Sequence, residues 1–510
     1  MSQIVISTST STSTSTSTST SPPPVVLHVT HSWGGGIQRW VNDFCHTDTS
    51  NTNIILKSIG IWGIPGQKIA LYQHIDDEKP IKTWELKVSI FSTSVHNIDY
   101  YFALEEIISE YNITAIIISS LIGHSLDILN TGIKTIIIGH DYYPFCPAIN
   151  IYFEKVCHEC KLSHLQNCLA INPYNRFFPA ISASEWLLIR KTFIKLIMDY
   201  KITLVVPSLS VKTNLMRLEP TFRNVDFVVI PHGIETKKLK SYQTIIHTKA
   251  VKQEKLKIII LGRLTIQKGL NLLQESYQEI LKYADIILLG CGDNGILFTG
   301  IKGIEIAAYN YSLDDLPKHI EKISPDIGLL LSVLPETFSY TLSELMILGI
   351  PPLTTKLGSF EDRIIDELNG FLFLGGKNDL IKKIKYLSEN RNIILKVSDE
   401  LLQQSHPDLQ QMIDNYQKVI IFNIDEITYQ NSIDINLVSV IQKQLEETQL
   451  KIQQIQSSKE MNTFIINSLT KKVNWKIFIS DKLQLLNYIR QNHLMIWKFI
   501  KKLAIRLRLI

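Results

Sequence analysis

At 510 residues, 45% hydrophobic and 20% charged, the chain is long enough for two buried cores and too long for one ordinary domain. A net charge of +4 argues against a dedicated nucleic-acid binder, and six cysteines over this length do not make a disulfide framework. The sequence holds no run of about 18 uninterrupted apolar residues and no basic-then-apolar leader, so a cytoplasmic location is expected.

Residues 7 to 21 alternate Ser and Thr and run into three prolines, a composition with nothing to bury, so 1–24 is expected to be disordered. VVLHVTH, from Val25, reads as a buried strand, SWGGG as a glycine turn and IQRWVNDFC as the opening of a helix. Strand-like runs at 53–58, 114–119 and 134–139, with a helical pattern from Asp99 to Tyr111, extend this unit into a doubly wound domain over 25–220. VDFVVIPHGIE reads as a strand leading into a hinge. A second strand and helix series runs from Leu256 to about Glu389, in a domain taken as 221–425. Residues 426–510 read as a helical tail, of which 436–470 is polar and heptad-like.

In parallel sheets, ligands bind beyond the carboxyl ends of the strands, and glycines stand there in both halves: Gly34, Gly35 and Gly36, then Gly262, Gly290 and Gly292. A glycine after a strand is often a plain turn, so no single loop decides. LGRLTIQKG adds Arg263 and Lys268 at the mouth of its strand, two cations suited to a diphosphate unless they are ordinary surface charges. SVLPETFSYTLSELMILGIPPL holds two acids, Glu336 and Glu344, among apolar neighbours that argue against a solvated face. A helix over 338–348 would separate the acids by about 12 Å of rise, which suits two ends of one elongated ligand better than a hydrolytic pair.

Taken together, the first glycine loop, PHGIE, GRLTIQKG, GCGD and PETFSYTLSELMILGIPPL resemble a family 4, or group 1, retaining glycosyltransferase over roughly residues 25–425. The resemblance implies an α/β GT-B fold, two Rossmann-like domains facing a cleft, with a nucleotide-diphosphate sugar as donor and a glycan or lipid-linked acceptor. It implies that Glu336 meets the donor sugar, Glu344 the ribose, Arg263 and Lys268 the diphosphate, and that Gly35 and Gly36 approach from the other domain. His140 would reach the sugar from the first domain, and Gly262, Gly292, Thr337, Phe338 and Ser339 would line the donor site. The family commonly has Glu-Gly-Phe-Gly or Glu-Pro-Phe-Gly where this chain has Glu336, Thr337, Phe338 and Ser339. No Asp-x-Asp is present, so no catalytic divalent cation is expected.

Within an insertion over 141–180, Cys146, Cys157, Cys160 and Cys168 include a C-x-x-C pair and suggest either a structural zinc site or free buried thiols. From 471 to 510 there are ten Lys or Arg against one acid, Asp481, a local +9 that leaves −5 on the rest. With aromatic and aliphatic residues interleaved, this tail suits an anionic membrane surface, and self-association of 436–470 is the rival. No nucleic-acid partner is expected. Two other functions share the architecture: a non-catalytic scaffold of a polysaccharide assembly, and a nucleotide-sugar epimerase.

Overall fold

The computed structural model describes residues 23–60, 66–175, 177–178, 181–240 and 255–421. The Ser/Thr tract up to residue 22 and the tail over 426–510, with the membrane and self-association expectations attached to it, lie outside the described residues. Two large sheets form within one compact unit.

The first sheet contains β1 (Val25–His31), β2 (Thr52–Ile59), β3 (Gly66–Tyr72), β4 (Lys82–Ile90), β5 (Ile113–Ile118), β6 (Lys134–Ile138), β7 (Thr203–Val206) and β8 (Phe227–Val229). Their spatial order is β8-β7-β6-β5-β1-β2-β3-β4. β1, β2 and β5 to β8 pair in parallel, whereas β3 and β4 run antiparallel at one edge. The parallel strands are nearly continuous apolar runs because helices cover both faces. β4, KTWELKVSI, alternates exposed and covered residues along an edge open to water. That alternation is why the buried-strand pattern read from the sequence passed over β4.

The second sheet contains β9 (Leu256–Leu261), β10 (Ala284–Leu289), β11 (Ile304–Ala308), β12 (Ile327–Leu330), β13 (Pro352–Thr355) and β14 (Phe371–Phe373). All are parallel, in the order β11-β10-β9-β12-β13-β14. The strand order reverses between β9 and β12, and in such sheets the crevice at the carboxyl ends of the two strands flanking the reversal is where ligands sit. These are the strands followed by GRLTIQKG and by SVLPETFS. The two doubly wound halves make up the GT-B arrangement expected from the sequence.

The chain leaves the first sheet after Val229 and returns to it at the end: the helix Leu409–Ile421 buries Met412, Ile413 and Tyr416 against Val26, Trp40, Phe44 and Ile136. Outgoing and returning segments touch at the hinge. A Cβ on Gly233 would lie 2.5 Å from the Asp408 carbonyl oxygen, so only glycine fits there. The Gly233 N–H also points to the Met412 sulfur at 3.1 Å. Among the described residues, no helix is long and apolar enough to cross a membrane.

Candidate functional site

The loop after β9 turns at Gly262, whose φ of +95° suits a residue without a Cβ. Arg263 is exposed beside Gly292, itself at φ +64°. Lys268 donates to Oε1 of Glu336, and the Ser332 hydroxyl donates to the same oxygen. A small cavity of about 90 Å³ lies here, lined by Gly262, Arg263, Lys268, Ser332, Ser339 and Thr341 among others. Two cations from one loop and one carboxylate from the facing loop thus converge at the reversal of strand order.

The helix after β12 is Tyr340–Ile347, shorter than the 338–348 read from the sequence, so Glu336 lies in the loop before it. Glu344 is 1% exposed. Its two oxygens are separately held: Oε1 accepts from Nη1 of Arg39 at 2.7 Å, and Oε2 from the Tyr311 hydroxyl at 2.8 Å. Burial and the adjacent carboxylate push the Tyr311 phenol well above its ordinary value, so it stays a donor. The Tyr311 ring fills the space beside Gly290, where a Cβ would sit 2.5 Å from it. Glu336 and Glu344 share no hydrogen-bond partner among the described residues.

The loop between the two acids is fixed by groups that the sequence reading did not single out. Gly358 takes φ +62° and lies against it so closely that a Cβ would be 2.5 Å from the Glu336 carbonyl oxygen, and the next N–H, of Ser359, donates to that oxygen at 2.7 Å. Arg363 donates to the carbonyls of Phe338 and Ser339 at 2.5 and 3.2 Å and to the Ser343 hydroxyl at 2.7 Å. Burial lowers the Arg363 guanidinium to about 10, which still leaves it charged at neutral pH. Ser339 occupies φ +71°, a conformation open to glycine and strained for other residues, and its hydroxyl accepts from the Leu342 N–H at 3.3 Å as the helix cap.

From the first domain, His140 follows β6 and lies across the cleft from this loop: the Thr337 hydroxyl donates to the His140 carbonyl at 2.5 Å. Nδ1 of His140 is 3.2 Å from Nε2 of His232, in the hinge sequence PHGIE, and both rings pack on Trp40. His232 also contacts Phe338 at 4.8 Å between ring centres. Burial, with a smaller contribution from His31, lowers the His140 imidazole to about 3, so it is neutral at physiological pH. Its Nε2 is buried without a hydrogen-bond partner. Gly35 is exposed at φ +80°, and Gly36 opens the helix Gly36–Thr47 whose first turn carries Arg39 to Glu344. Arg39 stood in the quoted IQRWVNDFC; its place one turn past the glycine loop was the signal that could have marked it.

The zinc alternative gains no support from the structure. Among the described residues no group of three or more His, Cys, Asp or Glu is placed to hold a metal ion. Cys146, Cys157, Cys160 and Cys168 are free thiols that line, with His164, a cavity of about 10 Å³, and three of their sulfurs have neighbours that hold them. Asn172 donates to Cys168 Sγ at 3.1 Å, Arg190 to Cys160 Sγ at 3.3 Å, and His164 lies 3.5 Å from Cys157 Sγ. Burial, then neighbouring cysteines, push Cys146 and Cys157 up to about 12, so both are neutral thiols in the metal-free protein. The insertion is pinned instead by the buried Arg190, which donates to the carbonyls of Phe145 and Cys160.

Residues 242–404 match the family described as glycosyl transferases group 1. That segment contains Arg263, Lys268, Glu336 and Glu344 and the whole of the second sheet. No curated protein matches the chain by sequence. Among solved structures, Anabaena Alr3699/HepE in complex with UDP and glucose aligns with a TM-score of 0.49 and 12% identity, over 78% of this chain and 98% of its own. A glycosyltransferase from Rickettsia africae aligns with a TM-score of 0.49 and 16% identity, over 79% and 99%. WaaG, a glycosyltransferase involved in lipopolysaccharide biosynthesis, gives 0.49 and 13%, over 78% and 100%. Outside the group 1 segment, the first domain supplies His140 and Arg39 to the same cleft.

Proposed function

We propose that this protein is a retaining glycosyltransferase that moves a sugar from a nucleoside-diphosphate donor to a hydroxyl of a glycan or lipid-linked acceptor, without a catalytic metal. The observation that carries the reading is a small cavity at the reversal point of the second sheet, lined by Arg263, Lys268 and Ser332, with Glu336 held beside it by Lys268 and Ser332, all within the segment that matches group 1.

Departure of a nucleoside diphosphate builds negative charge on phosphate oxygens. Cations already in place stabilise that charge more in the transition state than in the ground state, which is what lowers the barrier. Arg263 and Lys268 take this role. Glu336, held by Lys268 and Ser332, orients the donor sugar, and Glu344 takes the ribose. His140, neutral and with Nε2 unpartnered, accepts from or donates to the sugar from the first domain. The reaction is read as a front-face displacement: the acceptor oxygen bonds to the anomeric carbon as the bond to the leaving phosphate breaks, and a phosphate oxygen takes the acceptor proton. The basic segment 471–510 suits delivery of the enzyme to an anionic lipid surface that carries the acceptor.

The test is transfer from a panel of nucleoside-diphosphate sugars, with the anomeric configuration of the product read by proton NMR and chelator added in a parallel run. Transfer with retention that survives the chelator is expected. Near-native turnover in both Lys268→Ala and Glu336→Ala would overturn the assignment, and donor interconversion without acceptor would point to an epimerase.

A further inference from the structure

We propose that Arg39 sets the donor affinity of this protein by competing with the nucleotide for Glu344. The inference rests on the reading in which Glu344 takes the ribose.

The Glu344 carboxylate is covered by two donors of different origin. Tyr311 belongs to the second domain and moves with Glu344, so its hydrogen bond survives any relative movement of the two domains. Arg39 belongs to the first domain, and its 2.7 Å ion pair with a side chain only 2% exposed spans the cleft. A ribose diol reaches this carboxylate only when Arg39 gives way.

Three features suit Arg39 to give way. Its Nη1 holds Glu344 but its Nη2 is buried without a partner, so the guanidinium is incompletely satisfied where it stands. Its own helix offers a replacement partner, Asp43, with Nε already 3.6 Å from Oδ2. The guanidinium also lies over the Tyr340 ring at 4.2 Å, a face along which it can slide without losing contact with the second domain. A carboxylate offers about four acceptor positions, so once Arg39 leaves, the Tyr311 bond and a cis-diol can share Glu344. The same contact re-forms as the nucleotide departs, which couples product release to the approach of the two domains. The apparent Kd against a competing internal partner equals the intrinsic Kd divided by the open fraction, so weakening Arg39 tightens binding.

The experiment is calorimetric binding of UDP, ADP and GDP to the full-length protein and to Arg39→Gln, Arg39→Lys and Glu344→Gln. Unfolding temperatures are recorded for each, so that a misfolded variant is recognised. For the diphosphate that binds most tightly, Arg39→Gln is expected to lower Kd about three- to tenfold, Arg39→Lys to stay within about twofold, and Glu344→Gln to lose most binding. In the Glu344→Gln background, Arg39→Gln should change nothing. Unchanged or weaker binding by a folded Arg39→Gln protein would overturn the competition. Native affinity in Glu344→Gln, or no binding of any of the three diphosphates, would overturn the ribose reading and the competition with it.

Discussion

The guanidinium of Arg363 lies 4.2 Å over the ring of Phe338 and donates to the backbone carbonyls of Phe338 and Ser339. One side chain thus holds the loop between Glu336 and Glu344 by both its backbone and its aromatic residue. Arg363→Met keeps the apolar stem and removes every donor, leaving those carbonyls without that partner. Hydrogen bonds from charged groups contribute about 1.5–3 kcal/mol each, so a loss of roughly 2–4 kcal/mol of stability is expected. Chemical denaturation measures it, and donor KM should rise with it because Glu336 loses its fixed position.

Ser339 and Gly358 give opposite backbone predictions on the same loop. Ser339→Gly relieves the φ of +71°, at the cost of the cap to Leu342, and should leave stability within about 1 kcal/mol of native or raise it. Gly358→Ala forces a Cβ to 2.5 Å from the Glu336 carbonyl at φ +62°, and should cost about 3 kcal/mol or more and most of the activity. Unfolding curves of the two variants, compared with native protein, check both signs.

Lys268 is half exposed and its ion pair with Glu336 is not a large stabilising term, so Lys268→Met should shift the unfolding temperature little. Its cost should fall on the reaction. Removal of one preorganised charge at a leaving group costs about 10²–10³ in kcat in comparable sites. Steady-state transfer kinetics with native and variant protein at matched folding state measure this; a change in KM alone would assign Lys268 to ground-state binding.

Buried imidazoles set the acid limit. Burial lowers His28, His31 and His124 to about 4 and His140 to about 3, from 6.5. They are neutral in the fold, while the unfolded chain takes up protons below about 6.5. Their stabilisation is therefore complete above 6.5 and is lost as pH falls towards 4 and 3, each group giving up to about 1.4 kcal/mol per pH unit. Asp141 works in the other direction: burial raises it to about 7, so its contribution is present below 3.8 and lost as pH rises through 7. Burial lowers His232 and His406 in the same direction, so the lowered imidazoles outweigh the raised carboxyls of Asp141 and Asp43, and the unfolding temperature should fall between pH 6.5 and 4. His124→Gln, which alters a ring bonded to the Thr30 carbonyl and close to the Tyr100 hydroxyl, should flatten that fall.

The parallel strands of both sheets were legible in the sequence, because buried parallel strands are written as unbroken runs such as KIIIL and TAIII, and Arg263, Lys268, Glu336 and Glu344 stood out through their places beside strand ends and inside apolar surroundings. Such signals are local: a strand's burial on both faces and a helix's apolar side are visible within ten residues. The antiparallel edge strand β4 was not legible, since a half-exposed strand alternates as many loops do. Only the tertiary structure decided which charges meet. Arg39 and Glu344 lie 305 positions apart, Lys268 and Glu336 68 apart, and Thr337 and His140 197 apart, so no periodicity can join them. It also gave three of the four clustered cysteines their neighbours, Cys157 beside His164, Cys160 beside Arg190 and Cys168 beside Asn172. Spacing along a chain bounds which side chains can share a site; the packing of the two sheets and the hinge between them selects the ones that do.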